Sequence, residues 1–347
     1  MSKPDTLWFT RCPVPTATGL AYQLGWFDQE FARDGITIRT LQDGPKELSR
    51  HHYDHDLPTL IREGGNLLAL PARAQGAPTK LIGLTWIDEW QTILVRPDSP
   101  IRTPAQLRGQ RLALPAFRRA DLEANRRGRS IARGMSLQGY RGALASVGLG
   151  LDDVHLVEVG LEDGWEAPSG RLWEGIEPLL RGEVDAVYVK GAAAAEAAQR
   201  HGAIVGIDLD QLPERRFRVN NGTPRPITVH QRLLDDHLDL VGRFLFQTLR
   251  AAEWAKTHLP EVRKILQGET RAGARGVEEA YRDGFHLELA PDLSDERVEL
   301  FRQQKNFQLI HGFLDRDFDF DAWIDHRPLV LARQALQREH AARETAA

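Results

Sequence analysis

Short apolar blocks alternate along the chain with longer segments in which apolar residues return every three or four positions. "TLWFT", "GITIRTL", "TKLIGLTW" and "DAVYV" are too brief for helices and rich in β-branched and aromatic residues, so they read as strands. Strands are expected at 6–11, 36–41, 79–85, 90–95, 110–114, 154–159, 184–189, 203–207 and 226–229. Most of the gaps carry a helical rhythm, as in 16–31, where Leu20, Leu24, Phe27 and Phe31 fall on one face. Repeated alternation of strand and helix predicts an α/β protein with largely parallel sheets. The chain closes on "RPLVLARQALQREHAARET", whose helical pattern is so heavily charged that a fraying helix is expected.

Turn residues divide this pattern. Residues 92–115, "TILVRPDSPIRTPAQLRGQRLALP", read as a strand, an exposed crossing, a short helix opened by Thr103-Pro104, a Gly turn and another strand. A second crossing is expected in 214–229, "ERRFRVNNGTPRPITV", after which 230–312 is a helical run packing back on the first lobe. At 347 residues the chain exceeds what one core usually serves, so two lobes are predicted: 1–96 with 218–347, and 97–217. This order, and "SPIRTPAQLRGQRLALP" in particular, resembles the type II periplasmic-binding-protein fold of sulfonate, nitrate and thiamine-precursor receptors. The resemblance implies two α/β lobes, a cleft between them and a helical C-terminal tail.

Composition narrows the function classes. No apolar run approaches the ~20 residues of a membrane helix, with 41% hydrophobic and 27% charged residues and a mean hydropathy of −0.41. The 45 basic and 49 acidic residues give a formal charge of −4 and are well mixed, which argues against nucleic acid as a partner. A single cysteine leaves no intramolecular disulfide and no CxxC metal knuckle. "MSKPDTLWFTRC" lacks the basic and apolar regions of a secretory signal, so a cytoplasmic monomer without cofactor is expected.

That one cysteine lies in "FTRCPVPTATG", residues 9–19, between a strand and a helix. Such a turn at the carboxyl end of a strand faces the ligand crevice of an open α/β sheet; a buried cysteine without a task is the alternative. Downstream, "SRHHYDHDLPTLIREGGNLLAL", residues 49–70, places three of the 12 histidines close together, then Arg62 and Gly64-Gly65. Asp56 is read as the cap of a helix starting near Leu57-Pro58, with the histidines on the loop leading into it.

"RCPVPTA" and "HYDHDLPTLIREGG" resemble motifs of the 2′-hydroxybiphenyl-2-sulfinate desulfinase family of dibenzothiophene desulfurisation. The similarity extends loosely through "TKLIGLTW", "VRPDSPI", "GLDDVHLVEV" and "GEVDAVYV". It implies Cys12 as the catalytic sulfur, His52 as its neighbour, Arg62 as the clamp on a sulfinate and Gly65 as a backbone donor. Two roles for the thiol stay open: proton donor to the ring carbon that bears sulfur, or nucleophile toward the sulfur itself. The chemistry has an independent logic. A guanidinium meets a two-oxygen anion bidentately, and backbone at Gly64 and Gly65 can approach it closely. A thiol at a helix start beside an imidazole and Arg11 is expected to have a lowered pKa.

Departures from the family bear on the substrate. Arg11 stands where the desulfinase has asparagine, and Gln138, in "GMSLQGYRGAL", falls at a tryptophan that lines the biphenyl pocket. A smaller or more polar sulfinate is therefore expected, with Trp86, Trp90 or Trp165 as alternative aromatic walls. His55 is a candidate supporting group whose carboxylate neighbours either orient it or simply keep it soluble, His51 is expected to be solvated, and His52 and His55 with Asp54 or Asp56 leave a metal site as an alternative. Lys190, at the end of "DAVYVK", is placed at a cleft-facing strand end, as an anion contact or a plain salt bridge. The basic run "FRRADLEANRRGRSIARG", residues 117–134, is either a solvated face or a cleft loop. The reading is a sulfinate desulfinase-like C–S hydrolase. The alternatives are a non-catalytic binding protein for a small anionic or aromatic ligand, and a decarboxylase or other hydrolase on the same fold.

Overall fold

The computed structural model describes residues 3–10, 12–117, 119–123, 130–160, 175–282 and 284–346. Ten strands, β1 (Thr6–Thr10), β2 (Thr37–Thr40), β3 (Leu60–Glu63), β4 (Thr79–Thr85), β5 (Thr92–Val95), β6 (Arg111–Pro115), β7 (His155–Val159), β8 (Ala186–Val189), β9 (Ile204–Asp208) and β10 (Arg225–His230), form two sheets. The first has the order β2-β1-β3-β10-β4 and the second β7-β6-β8-β5-β9. β1 runs parallel to β2 and β3, while β10 enters antiparallel between β3 and β4. In the second sheet β6 runs parallel to β7 and β8, and β5 enters antiparallel between β8 and β9. Each lobe thus holds one antiparallel strand, the first to arrive after the chain has crossed over.

The chain leaves the first sheet after β4 and returns to it at β10. β5 therefore belongs to the second sheet, and the first crossing falls ahead of Thr92, not at the boundary near 96 that the turn pattern suggests. Nine strands match the sequence pattern to within a few residues. The tenth, β3, carries the sequence pattern of a helix start and is nonetheless a strand. Its four residues are all buried and pair on both sides, with β1 and with β10, so the burial alternation that marks a strand facing solvent is missing.

Local rules explain the element that matters most. Pro13 and Pro15 keep the chain extended after β1, and the helix Ala17–Gln23 begins only at Thr16, whose hydroxyl accepts from the Gly19 N–H at 3.0 Å. The C-terminal region is helical as expected: Leu238–Ala255, Leu259–Thr270 and Asp295–Ile310 cover the first lobe. The last helix, Arg327–Ala346, does not fray early. It buries Leu329 and Ala332, sets Leu331 against Gly242, and bridges Glu339 to Arg250 and His340 to Glu253. Among the described residues no helix is long and apolar enough to cross a membrane.

Candidate functional site

Cys12 leaves the carboxyl end of β1 into the Pro-Val-Pro bend, as its position in the sequence suggests. Its Sγ donates to the Glu63 carbonyl at 3.2 Å, an oxygen that also accepts from the Thr10 hydroxyl at 2.8 Å. An Arg225 Nη1 N–H points at the sulfur from 3.3 Å. The expected lowering of the thiol pKa is not found. Burial pushes it above the ordinary value of 9.0, and outweighs the pull of Arg225 and Arg62. At rest the sulfur is a thiol with its proton directed at a carbonyl.

Arg62 sits on β3 in the middle of the first sheet and is 1% exposed. Its one hydrogen bond among the described residues runs from Nη1 to the Gly65 carbonyl at 3.3 Å, and its buried Nε has no partner. Among the described residues no carboxylate is paired with it. Burial pulls its pKa down to about 10, with Cys12 opposing. The guanidinium lies against the backbone at Gly64, where a Cβ would approach its carbons and nitrogens to 2.6 Å; at Gly65 a Cβ would run into the Asn221 amide at 2.3 Å. A side chain at either place would displace a side-chain end, the Arg62 guanidinium at Gly64 and the Asn221 amide at Gly65. The two N–H groups are not equivalent: Gly64 donates to the Pro226 carbonyl at 3.2 Å, whereas Gly65 makes no such bond among the described residues. Of the expected pair of backbone donors, only Gly65 is available.

Around these two residues lies a charge network that the motifs did not reveal. Glu89, in the first crossing, accepts from Arg225 at 2.8 Å and pairs with Lys190 at 3.3 Å through the same oxygen. Lys190 also donates to the Asn221 carbonyl at 2.6 Å, so it is both a salt bridge and a tie to the second crossing. Burial lowers the Lys190 pKa, with Glu89 opposing. On Arg225 burial acts against the charge, but Cys12, Glu89 and Glu63 together hold its pKa above the ordinary guanidinium value. Glu63 accepts from the Thr85 hydroxyl at 2.9 Å, and burial raises its pKa. Three buried cations therefore face two buried carboxylates, one of which is biased toward the neutral acid. The excess is positive, and it rests on Arg62.

The histidines depart from expectation. His51–Asp54 is itself a short helix. His51 is buried, not solvated, with Nδ1 2.8 Å from Asp54. His55 adopts the left-handed region at φ 55° and turns its Nε2 to the His52 carbonyl at 3.1 Å, so no carboxylate orients it. Burial, and then Arg62, hold the His52 pKa down at about 3 and that of His55 well below 6.5, which keeps both rings neutral. His52 feels Arg62, but among the described residues it makes no hydrogen bond to Cys12. Nor do three His, Cys, Asp or Glu side chains converge there as a metal site.

Gln138 lies on the helix Ile131–Ala145, 1% exposed, with neither end of its amide bonded. Arg11, Trp165, Arg118, Arg126, Arg127 and Arg129 fall outside the described residues, as does the side chain of Arg119. Arg133 of the same basic run is tied to the Pro115 carbonyl and Glu158 and lies 4.3 Å over Phe117, so it is a structural cation. Arg215 and Arg218 lie 5.3 and 5.8 Å from the centroid of the Trp86 ring, and Trp86 and Trp90 are both buried. Sequence reasoning missed Glu89 and Arg225. The available signal was "TPRPI", an arginine inside an otherwise apolar strand.

Two sheets, each completed by a strand from across the crossing, together with a helical C-terminal region, define a two-lobed protein of the type II periplasmic-binding-protein-like fold, with a cysteine close to a buried arginine that has no carboxylate partner among the described residues. The resemblance seen in the motifs extends over nearly the whole chain. It is 27% identical to 2′-hydroxybiphenyl-2-sulfinate desulfinase of Rhodococcus erythropolis over 352 residues, covering 92% of this chain and 91% of the relative. A solved structure of a cysteine-to-serine mutant of DSZB in complex with biphenyl-2-sulfinic acid superposes with a TM-score of 0.69 at 24% identity, covering 96% of this chain and 99% of that one. The periplasmic aliphatic sulphonate binding protein SsuA of Escherichia coli shares the fold at a TM-score of 0.65 and 16% identity, with 93% of each chain covered. No family model matches the sequence.

Proposed function

We propose that the protein is a desulfinase-like hydrolase that splits the C–S bond of an aromatic or related sulfinate and releases sulfite. The observation that carries this reading is Arg62, a buried guanidinium without a carboxylate partner among the described residues, close to the Cys12 thiol. An uncompensated buried charge is costly, and a compact two-oxygen anion relieves that cost where bulk water is excluded. The sulfinate oxygens would take the Nη and Nε donors of Arg62, with the Gly65 N–H as a further donor. Cys12 then delivers its proton to the ring carbon bearing sulfur, the C–S bond breaks, and sulfur departs as SO₂ with its two oxygens. Water hydrates SO₂ to bisulfite, and the proton so released returns to the thiolate. A thiol whose pKa burial has raised suits the donor role better than the nucleophile role. Arg225, aimed at the sulfur, stabilises the thiolate for the interval in which it exists. His52, neutral and near Arg62, shapes the pocket without adding charge.

A second reading follows from the fold neighbours: sulfonate-binding proteins such as SsuA share this architecture. In that reading Arg62, Gly65 and Lys190 hold an anion and nothing reacts. The two are separated by sulfite release from a panel of aryl and alkyl sulfinates, measured with the native protein, Cys12→Ser and Arg62→Met. Sulfite from the native protein, abolished in Cys12→Ser and reduced at least ~100-fold in a folded Arg62→Met, is the expected result. Ligand-induced thermal stabilisation without sulfite, retained in Cys12→Ser, would establish the binding protein instead.

A further inference from the structure

A second polar cluster lies on the other side of the Gly64-Gly65 turn. Asn66, the first residue of the helix Asn66–Ala74, is fully buried and donates its Nδ2 to two backbone carbonyls, those of Asn220 at 2.7 Å and Pro224 at 3.0 Å. Those two acceptors fix the orientation of its amide, so its Oδ1 must accept. It accepts twice, from Gln304 Nε2 at 2.9 Å and Gln308 Nε2 at 3.2 Å. The amides of both glutamines are thereby oriented as well, and each is left with a buried carbonyl oxygen that has no partner.

The helix that carries Gln138 packs beside this cluster. On its helix, Gly134 packs against Leu67 and Phe313, and Arg141 lies over Phe307, which sits between Gln304 and Gln308 on the helix Asp295–Ile310. Gln138 occupies the position between Gly134 and Arg141 on one stripe of the helix, so its side chain is directed at the seam where Asn66 and the two glutamines meet. Both ends of its amide are buried and unbonded, although native structures leave few such groups.

We infer that Gln138, Gln304 and Gln308 form a subsite contiguous with the anion site, which receives a neutral hydrogen-bond-donating substituent of the ligand, a hydroxyl or an N–H. The polarity follows from the count. Three unpartnered carbonyl oxygens meet one unpartnered amide NH₂, so a donor group is matched and an acceptor-only group or a second anion is not. The inference rests on the reading that an anion sits at Arg62, and it names the part of the ligand that the anion site does not.

Sulfonates test it without requiring any reaction. Affinities of the three hydroxybenzenesulfonates, the three methoxybenzenesulfonates and benzenesulfonate are measured by calorimetry on the native protein, Gln138→Leu and Gln308→Leu. One hydroxyl isomer is expected to bind about tenfold tighter than benzenesulfonate, with no gain for its methoxy counterpart, and each variant should reduce that advantage to about twofold or less. Melting temperature supplies the readout that needs no ligand. Removing unsatisfied amide atoms in Gln138→Leu should raise it by about 2 °C. Equal affinities across the series, or a hydroxyl preference that survives both variants, would overturn the subsite. So would a fall in melting temperature in Gln138→Leu, because that amide would then already be satisfied, by ordered water for example. If no sulfonate binds, the anion reading fails and the melting temperatures decide the subsite. A hydroxyl preference without sulfite release from any sulfinate leaves the subsite standing and removes the catalysis.

Discussion

At the scale of single residues, the central fact is that burial, not the neighbouring cations, decides the state of Cys12. Arg225 and Arg62 both favour the thiolate, yet the low-dielectric surroundings favour the neutral thiol more. The network makes opposite predictions for its two sides. Arg225→Met removes the cation that pulls hardest on the thiol pKa, so the pH midpoint for alkylation of Cys12 by iodoacetamide should rise. Glu89→Gln removes a carboxylate that raises it, and the midpoint should fall. The native midpoint itself is expected above that of an ordinary cysteine. A native midpoint near 7 would mean that the cations win, and would return the nucleophile role to consideration.

At the scale of elements, β3 and the turn after it do most of the positioning. A central strand fixes its backbone by pairing on both sides, so Arg62 projects from a rigid base and Glu63 offers its carbonyl to Cys12, just past the end of the neighbouring strand β1. The turn at Gly64-Gly65 then has to pass under the guanidinium without a side chain. Gly64→Ala introduces a methyl 2.6 Å from that group, which displaces the guanidinium from the proposed anion site. The expected cost is about 1–3 kcal/mol in stability by urea unfolding, and a loss of sulfite release or sulfonate affinity of at least ~30-fold. If affinity is unchanged at equal stability, Arg62 is not the anchor.

At the scale of the molecule, the two lobes are joined through buried charge. Glu89 in the first crossing holds Arg225 of the first sheet and Lys190 of the second, and Lys190 reaches on to Asn221 in the second crossing. Lobe geometry and the electrostatics of Cys12 thus share one carboxylate. Glu89→Gln strands two buried cations, and should destabilise the protein by about 3–5 kcal/mol. Lys190→Met leaves Arg225–Glu89 paired, and should cost less than half as much, measured by denaturant unfolding of the two variants side by side. Equal losses would show that the pairs do not share Glu89 as the structure has it.

The sequence by itself determined the two-lobed α/β order, nine of the ten strands, and the turn that carries Cys12, because these depend on local periodicity, proline and glycine chemistry and chain order. It also carried the motif in which Arg62 and the two glycines after it stand. Only the tertiary structure decided what those residues experience. A strand buried on both faces shows no alternation, so β3 hid inside a pattern that resembled a helix start. Glu89 and Arg225, far apart in sequence, meet Cys12 only because β10 returns between β3 and β4 after the second crossing. The sign of the thiol's pKa shift depended on the same assembly: charge neighbours can be guessed from a motif, whereas the desolvation that outweighs them exists only once both lobes have packed around the site.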